Sequence, residues 1–174
     1  NNLAFIADAG KSSARIKGFS LQTPNSDIGV DIAIKYKDRE IKSLDISSDH
    51  SSIGTNDIAL FVPRLSGTNQ SIFFDTEITG DRKTLNIKSL SLNTAGREIA
   101  LSLSGKARAR SNIVRCILDG GDISWSIPML HLHADYDAMN RLARNTGIST
   151  NTILNIGDID IKASANGTRH SINA

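Results

Sequence analysis

The side chains best suited to chemistry fall in one short stretch, residues 131–137, which contains two histidines and two aspartates. Alternation along a strand would put His131, His133 and Asp135 on one side, and imidazole and carboxylate groups are zinc ligands. One hypothesis is therefore a metal-dependent hydrolase. The other places both histidines on the polar face of a strand and has Asp135 or Asp137 cap the following helix. Because three ligands on one strand leave a site incomplete, we predict no catalytic residue, no metal and no cofactor.

The remaining composition argues against several other classes of protein. The 174 residues carry a net charge of +2, from 20 basic and 18 acidic side chains without a basic block, so we predict no nucleic-acid binding. The small basic alternation at residues 106–110 suits a solvated strand face, and contact with acidic lipid head groups is the lesser alternative. The one cysteine, Cys116, excludes an internal disulfide and lies in an apolar run that predicts a small buried side chain.

Strict alternation of apolar and polar residues is the strongest structural signal in the chain. In residues 28–35 every even position is a branched apolar side chain, which is the pattern of a strand with one buried face. The same pattern occurs in residues 72–78, 99–103 and 123–127, and tight polar turns separate these segments. The sequence therefore predicts an all-β, twisted antiparallel sheet.

A weak internal repeat accompanies the alternation, with copies that begin at residues 16, 41, 87 and 156. Within each copy the first apolar residue stands three, not two, positions before the next. This spacing predicts a β-bulge or a kink in each copy. The predicted positions are near Gly18, Ser43, Ser89 and Asp158.

Two segments depart from the strand pattern and predict one or two short helices. Residues 137–146 combine an acidic start with Met139, Leu142 and Ala143 at helical spacing, and Gly147 follows as a stop signal. Residues 57–62 fit a helical turn that Asp57 caps and Pro63 ends, although alternation there would also suit a strand.

Several of these strings resemble the TamB and AsmA-like family, the translocation and assembly module proteins of double-membraned bacteria. The likeness is carried by residues 57–63, 78–92 and 101–106. It implies an elongated antiparallel sheet curved into a groove, folded like a taco. It further implies periplasmic location and an inner-membrane anchor elsewhere in the full-length protein. The implied partners are phospholipid acyl chains and, through other parts of that protein, an outer-membrane protein of the Omp85 class. Residues 1–174 would then be a single segment of a longer repetitive β-domain.

The function expected from pattern and resemblance together is non-enzymatic transport of phospholipid between membranes, assembly of outer-membrane proteins, or both. The apolar faces are nearly all Ile, Leu and Val, with too few aromatics, at 5%, for a thick sandwich core. The alternative is a closed β-sandwich, such as an adhesive or stalk module without a lipid ligand. In the groove hypothesis, the lining consists of Ile28, Val30, Ile32, Ile34, Ile72, Phe74, Leu90, Leu92, Ile99, Leu101 and Leu103.

Overall fold

The computed structural model describes residues 2–38, 40–66, 68–146, 157–168 and 171–173. They form one antiparallel sheet of ten strands whose spatial order follows the order in the chain. The first and last strands do not pair with each other, so the sheet is open. The strands are β1 (Asn2–Ala9), β2 (Ser13–Gln22), β3 (Asp27–Lys37), β4 (Glu40–Gly54), β5 (Ser71–Gly80), β6 (Thr84–Thr94), β7 (Ile99–Ala109), β8 (Ile123–Ala134), β9 (Ile159–Thr168) and β10 (Ser171–Asn173).

Short helices occupy the connections. They are α1 (Thr55–Ile58), α2 (Ile113–Asp119) and α3 (Tyr136–Thr146), and two single 3₁₀ turns span Pro63–Leu65 and Ala95–Arg97. The predicted all-β antiparallel sheet with short helices is thus confirmed, and the open sheet is consistent with a curved, groove-like form. The helical turn predicted at 57–62 is α1 and the turn after it, and the helix predicted at 137–146 is α3. Gly147, the predicted stop, lies outside the described residues.

Helix α2 was not predicted, because its apolar residues were interpreted only as a run around Cys116. The local signals are nevertheless present. The side chain of Asn112 accepts a hydrogen bond from the Arg115 N–H at 3.0 Å, which is an N-cap. Gly120 ends the helix in the left-handed conformation, with φ 68°. Cys116 itself is half-buried.

The meander gives the sheet two ends of different character. The connections after β2, β4, β6 and β8 meet at one end, which carries α1, α3 and both 3₁₀ turns. The connections after β1, β3, β5, β7 and β9 meet at the other end, which carries α2. We call these the α1 end and the α2 end.

The two faces of the sheet differ in polarity because paired residues of neighbouring strands point to the same side. One row runs Ile16–Ile32–Ile46–Ile78–Ile87 across β2 to β6. Another runs Phe74–Leu92–Leu101–Leu132–Ile161 across β5 to β9. The other side carries Ser, Asp, Lys and Glu. We call these sides the apolar face and the polar face.

No second layer covers the apolar face within the described residues. Its large side chains remain half-exposed or exposed, and among the described residues the one large apolar side chain that is fully buried, Ile113 at 1% exposure, belongs to α2. The other buried apolar residues are alanines at strand ends and in α3. This part of the chain therefore has no closed sandwich core.

The register shifts place at least one bulge in each of β2, β4, β6 and β8. The predicted bulges near Gly18 and Ser89 are confirmed, and an irregularity one residue from Ser43 confirms the third. Asp158 has no bulge, since it precedes β9 and the pairing of β8 with the start of β9 is regular, but the chain bends at this residue. Two further bulges, at 48–51 in β4 and 127–130 in β8, were not predicted. Pro128 lies in the second of these bulges and pairs with no residue of β7 or β9, so the N–H that proline lacks is not needed for a hydrogen bond between strands.

Candidate functional site

All eleven predicted lining residues lie on the apolar face, and all of them are half-exposed. The pairing brings some of them directly together, as in the Phe74–Leu92–Leu101 contact row. The four residues of β3 are separated from those of β5 by β4, which adds Leu44, Ile46 and Ile53 to the face. Residues of β2 and β8 extend it further. The alternation already contained these additional residues, so they could have been included from sequence.

A polar interruption lies in the middle of the apolar face. Ser48 and Ser51 flank the bulge of β4 and are 6% and 1% exposed. Ser48 donates a hydrogen bond to the Ser51 hydroxyl at 2.8 Å, and Ser51 donates to the Gly29 carbonyl at 2.9 Å. The Gly29 N–H donates back to Ser51 at 2.9 Å. Because these hydroxyls are satisfied within the sheet, they do not add hydrogen-bonding groups for a ligand.

An apolar cavity of about 520 Å³ lies at the α1 end of this face. Strand residues Leu21, Ile28 and Ile53 form its floor, and Ile58, Leu60 and Phe61 come from α1 and the turn after it. Leu60 and Phe61 are 81% and 87% exposed, so the rim of the cavity presents large apolar side chains to solvent. Of the eleven predicted residues, only Ile28 lines this cavity.

A hydrogen-bonded latch fixes the rim of the cavity. The Asp57 carboxylate accepts hydrogen bonds from the hydroxyls of Thr23 and Ser26, each at 2.5 Å, and from the amide of Asn25 at 3.1 Å. These donors, the Ser26 hydroxyl first, lower the pKa of Asp57 below its ordinary value. The predicted capping role of Asp57 is wrong, since Gly54 occupies the N-cap position. The carboxylate instead joins α1 to the turn between β2 and β3.

The two histidines of β8 lie on the polar face, and each is hydrogen-bonded to a carboxylate, His133 to Asp135 and His131 to Asp160. His133 Nε2 lies 2.9 Å from Asp135 Oδ1, and His131 Nε2 lies 3.1 Å from Asp160 Oδ2. The hydrogen bond from His131 is the largest cause of a lowered pKa at Asp160. Asp135 occupies the predicted position directly before α3, where its carbonyl accepts the Met139 N–H at 3.0 Å, while its carboxylate is bonded to His133 and the Tyr136 N–H donates to Asp158 at 2.8 Å.

Among the described residues, the potential metal ligands that converge are a different set, Asp49, His50 and Asp75, beside the bulge of β4. His50 and Asp49 are strongly exposed, and Asp75 Oδ1 already accepts the His50 N–H at 2.6 Å. The Asp75 carboxylate therefore satisfies a backbone N–H within the bulge of β4. None of these three residues was singled out from the sequence.

Comparison with protein-family models, with curated proteins and with solved structures found no match to this chain. No helix in the described ranges has the length and hydropathy needed to span a bilayer. What the fold itself defines is an open antiparallel β-sheet with one accessible apolar face and an apolar cavity at the end of that face.

Proposed function

We propose that this chain binds phospholipid acyl chains on its apolar face and acts as a non-enzymatic segment of a lipid-transport path. The observation that carries the proposal is the accessible apolar face itself. Monomeric soluble proteins rarely leave a contiguous apolar surface of this extent uncovered, and such surfaces usually belong to a ligand or partner. The lining is aliphatic and almost uninterrupted from β2 to β9.

The energetics suit a ligand that is held and still able to move. Each methylene of an acyl chain removed from water contributes about 0.8 kcal/mol. An aliphatic surface without free polar groups offers no fixed point at which a chain must stop. The Ser48 and Ser51 hydroxyls bond within the sheet, and so they leave this uniformity intact.

The apolar cavity at the α1 end gives the face a place where a chain can enter or leave. Its floor is continuous with the apolar face through Ile28 and Ile53, and its rim holds exposed Leu60 and Phe61. A cavity of about 520 Å³ is within the range of sites that bind small apolar ligands. The Asp57 latch holds this rim in position.

The cellular setting follows from the family resemblance and belongs to the same proposal. In it, the chain is a segment of a periplasmic protein with an inner-membrane anchor, and an Omp85-class protein is the outer-membrane partner of the full-length chain. A closed adhesive sandwich would need a second apolar layer, and the described residues form a single sheet. A hydrolase at His131, His133 and Asp135 would need the ligand atoms of all three to converge, and the set that converges within the described residues is Asp49, His50 and Asp75.

The test is site-specific photo-crosslinking to lipid in cells. A photo-crosslinking amino acid at position 32 or 101, on the apolar face, should capture phospholipid that mass spectrometry identifies. The matched control positions are 47 and 102, which lie on the polar face of the same sheet, and they should capture none. Capture of protein alone at 32 and 101 would contradict the proposal.

A further inference from the structure

The α2 end of the sheet carries an apolar ridge that the acyl-chain proposal does not use. Helix α2 is held by Ile113, which is 1% exposed and donates its N–H to the Arg82 carbonyl at 2.7 Å. The next apolar residues of the helix project into solvent, with exposures of 42%, 54% and 79% for Val114, Ile117 and Leu118. Three large apolar side chains on a firmly docked helix therefore form an exposed ridge, which we call the α2 ridge.

A depression of about 750 Å³ lies at the same end of the sheet, and its lining includes three cationic side chains and the residues Arg110 and Asp122 that flank α2 in the chain. Lys83, Arg108 and Arg110 line it and are exposed. The backbone brings them together, because the Ala109 N–H donates to the Lys83 carbonyl at 2.8 Å. Among the described residues, none of these three cations has an ion-pair partner within 4.0 Å.

Two acidic residues share the depression, and their roles are different from those of the cations. Asp81 Oδ1 accepts the N–H groups of Lys83 and Thr84, at 2.7 and 2.9 Å, and so closes the turn between β5 and β6. Asp122, which follows α2, is engaged in an interaction of its own. The three lysine and arginine heads thus remain the groups that are available to a ligand.

We propose that the α2 end docks on an anionic phospholipid surface, with the α2 ridge in the interface and Lys83, Arg108 and Arg110 against the head-group phosphates. Exposed apolar side chains next to unpaired cations are the combination that binds peripheral proteins to anionic membranes. Charge complementarity selects the anionic bilayer over a neutral one. The surface involves none of the apolar-face residues and lies at the opposite strand ends from the apolar cavity, so this inference goes beyond acyl-chain binding.

The experiment is flotation of the protein with vesicles of phosphatidylcholine alone or with a fifth of phosphatidylglycerol. The chain should float with the anionic vesicles at low salt and be released as salt rises. Replacing Arg108 and Arg110 by glutamine should weaken this binding about 30-fold, since each cation near such a surface contributes about fivefold. Leu118→Ser should weaken it about tenfold through lost apolar insertion.

The matched control removes two positive charges elsewhere. Lys17→Gln combined with Lys162→Gln changes the net charge equally but leaves the α2 end intact, and it should bind within about twofold of the unmodified chain. Equal loss in both double variants would reduce the effect to net charge and overturn the proposal. Equal binding to neutral and anionic vesicles would also overturn the proposal. So would the absence of vesicle binding, together with capture of a protein by a photo-crosslinking amino acid at position 118. None of these readouts depends on lipid capture at positions 32 and 101, so the two proposals fail separately.

Discussion

A single carboxylate introduced on the apolar face should show whether that face is accessible to water or buried in a closed core. Leu101 is half-exposed and lies between Leu92 and Leu132 on the neighbouring strands. Full burial of a leucine contributes about 1.5–3 kcal/mol, so the half-buried side chain of Leu101 contributes roughly 1–2 kcal/mol. The lower β-propensity of aspartate adds up to about 1 kcal/mol. Leu101→Asp should therefore lower the free energy of unfolding by about 1–3 kcal/mol.

The same substitution in a closed core would cost far more, because an unpaired carboxylate buried in hydrocarbon adds several kcal/mol. That total approaches the whole stability of a typical domain, about 5–15 kcal/mol. On an accessible face, water hydrates the new charge and the protein stays folded. Urea unfolding followed by circular dichroism measures the difference, and crosslinking at position 32 in the same variant measures lipid capture, which should fall strongly.

Ser102→Asp is the matched control, since Ser102 is the next residue and pairs with Ser91 and His131 on the polar face. It should change the free energy of unfolding by less than about 0.5 kcal/mol and leave lipid capture intact. A Leu101→Asp protein that does not fold, beside a stable Ser102→Asp protein, would refute the reasoning. Full lipid capture by a folded Leu101→Asp protein would refute the transport path.

Three further outcomes are expected. The depressed pKa of Asp57 means that its latch stabilises the fold above the ordinary value of 3.8, and that this contribution is lost as pH falls through the lower folded-state pKa. Asp57→Asn should therefore flatten the stability curve below pH 3.8, and unchanged curves would contradict it. Gly54→Ala should destabilise by about 1–3 kcal/mol in urea unfolding, because its Cβ would lie 2.4 Å from the Asn25 Cβ, whereas Gly10→Ala, with its nearest atom at 3.8 Å, should be close to neutral. Elemental analysis should find no stoichiometric zinc or iron, and zinc that disappears on joint replacement of His131 and His133 by alanine would restore the hydrolase hypothesis.

The strands could be predicted from the sequence because an open sheet with one apolar face imposes strict alternation. In β3 and β7 nothing competes with that pattern, and the whole predicted lining falls on one face. Helix α2 was missed because Ile113, Val114, Ile117 and Leu118 fit a continuous apolar run as well as a helix. The apolar pattern does not distinguish the two, because a helix that buries one face has its apolar residues on that face, whereas here Ile113 alone is buried and the other three side chains face solvent.

The candidate site was less predictable because its geometry depends on contacts between distant segments. Asp57 has the position and residue type of a helix cap, yet its hydrogen-bond donors come from residues 31–34 positions earlier. The cavity forms only where that turn meets α1 and the strand ends. The exposure of Leu60 and Phe61 likewise depends on what the fold leaves uncovered. Local sequence signals contain none of this information.

The bulges explain the repeated three-residue spacing of apolar side chains. In β2, Ile16 and Phe19 are three positions apart, and without an extra residue one of them would turn to the polar face. The bulge at Gly18, with φ +61°, places them opposite Ile32 and Val30 on the apolar face. The Asp31 carboxylate then accepts the Gly18 N–H at 2.5 Å.

The bulge of β4 is closed in the same way. His50 adopts φ 52°, and its N–H donates to Asp75 at 2.6 Å. In both cases an aspartate on the polar face of the next strand satisfies the N–H of the residue with positive φ. Asp31 and Asp75 on the polar face therefore have a structural role in β2 and β4. They hold the bulges that keep the aliphatic side chains on one side, and the extent of the apolar face depends on that register.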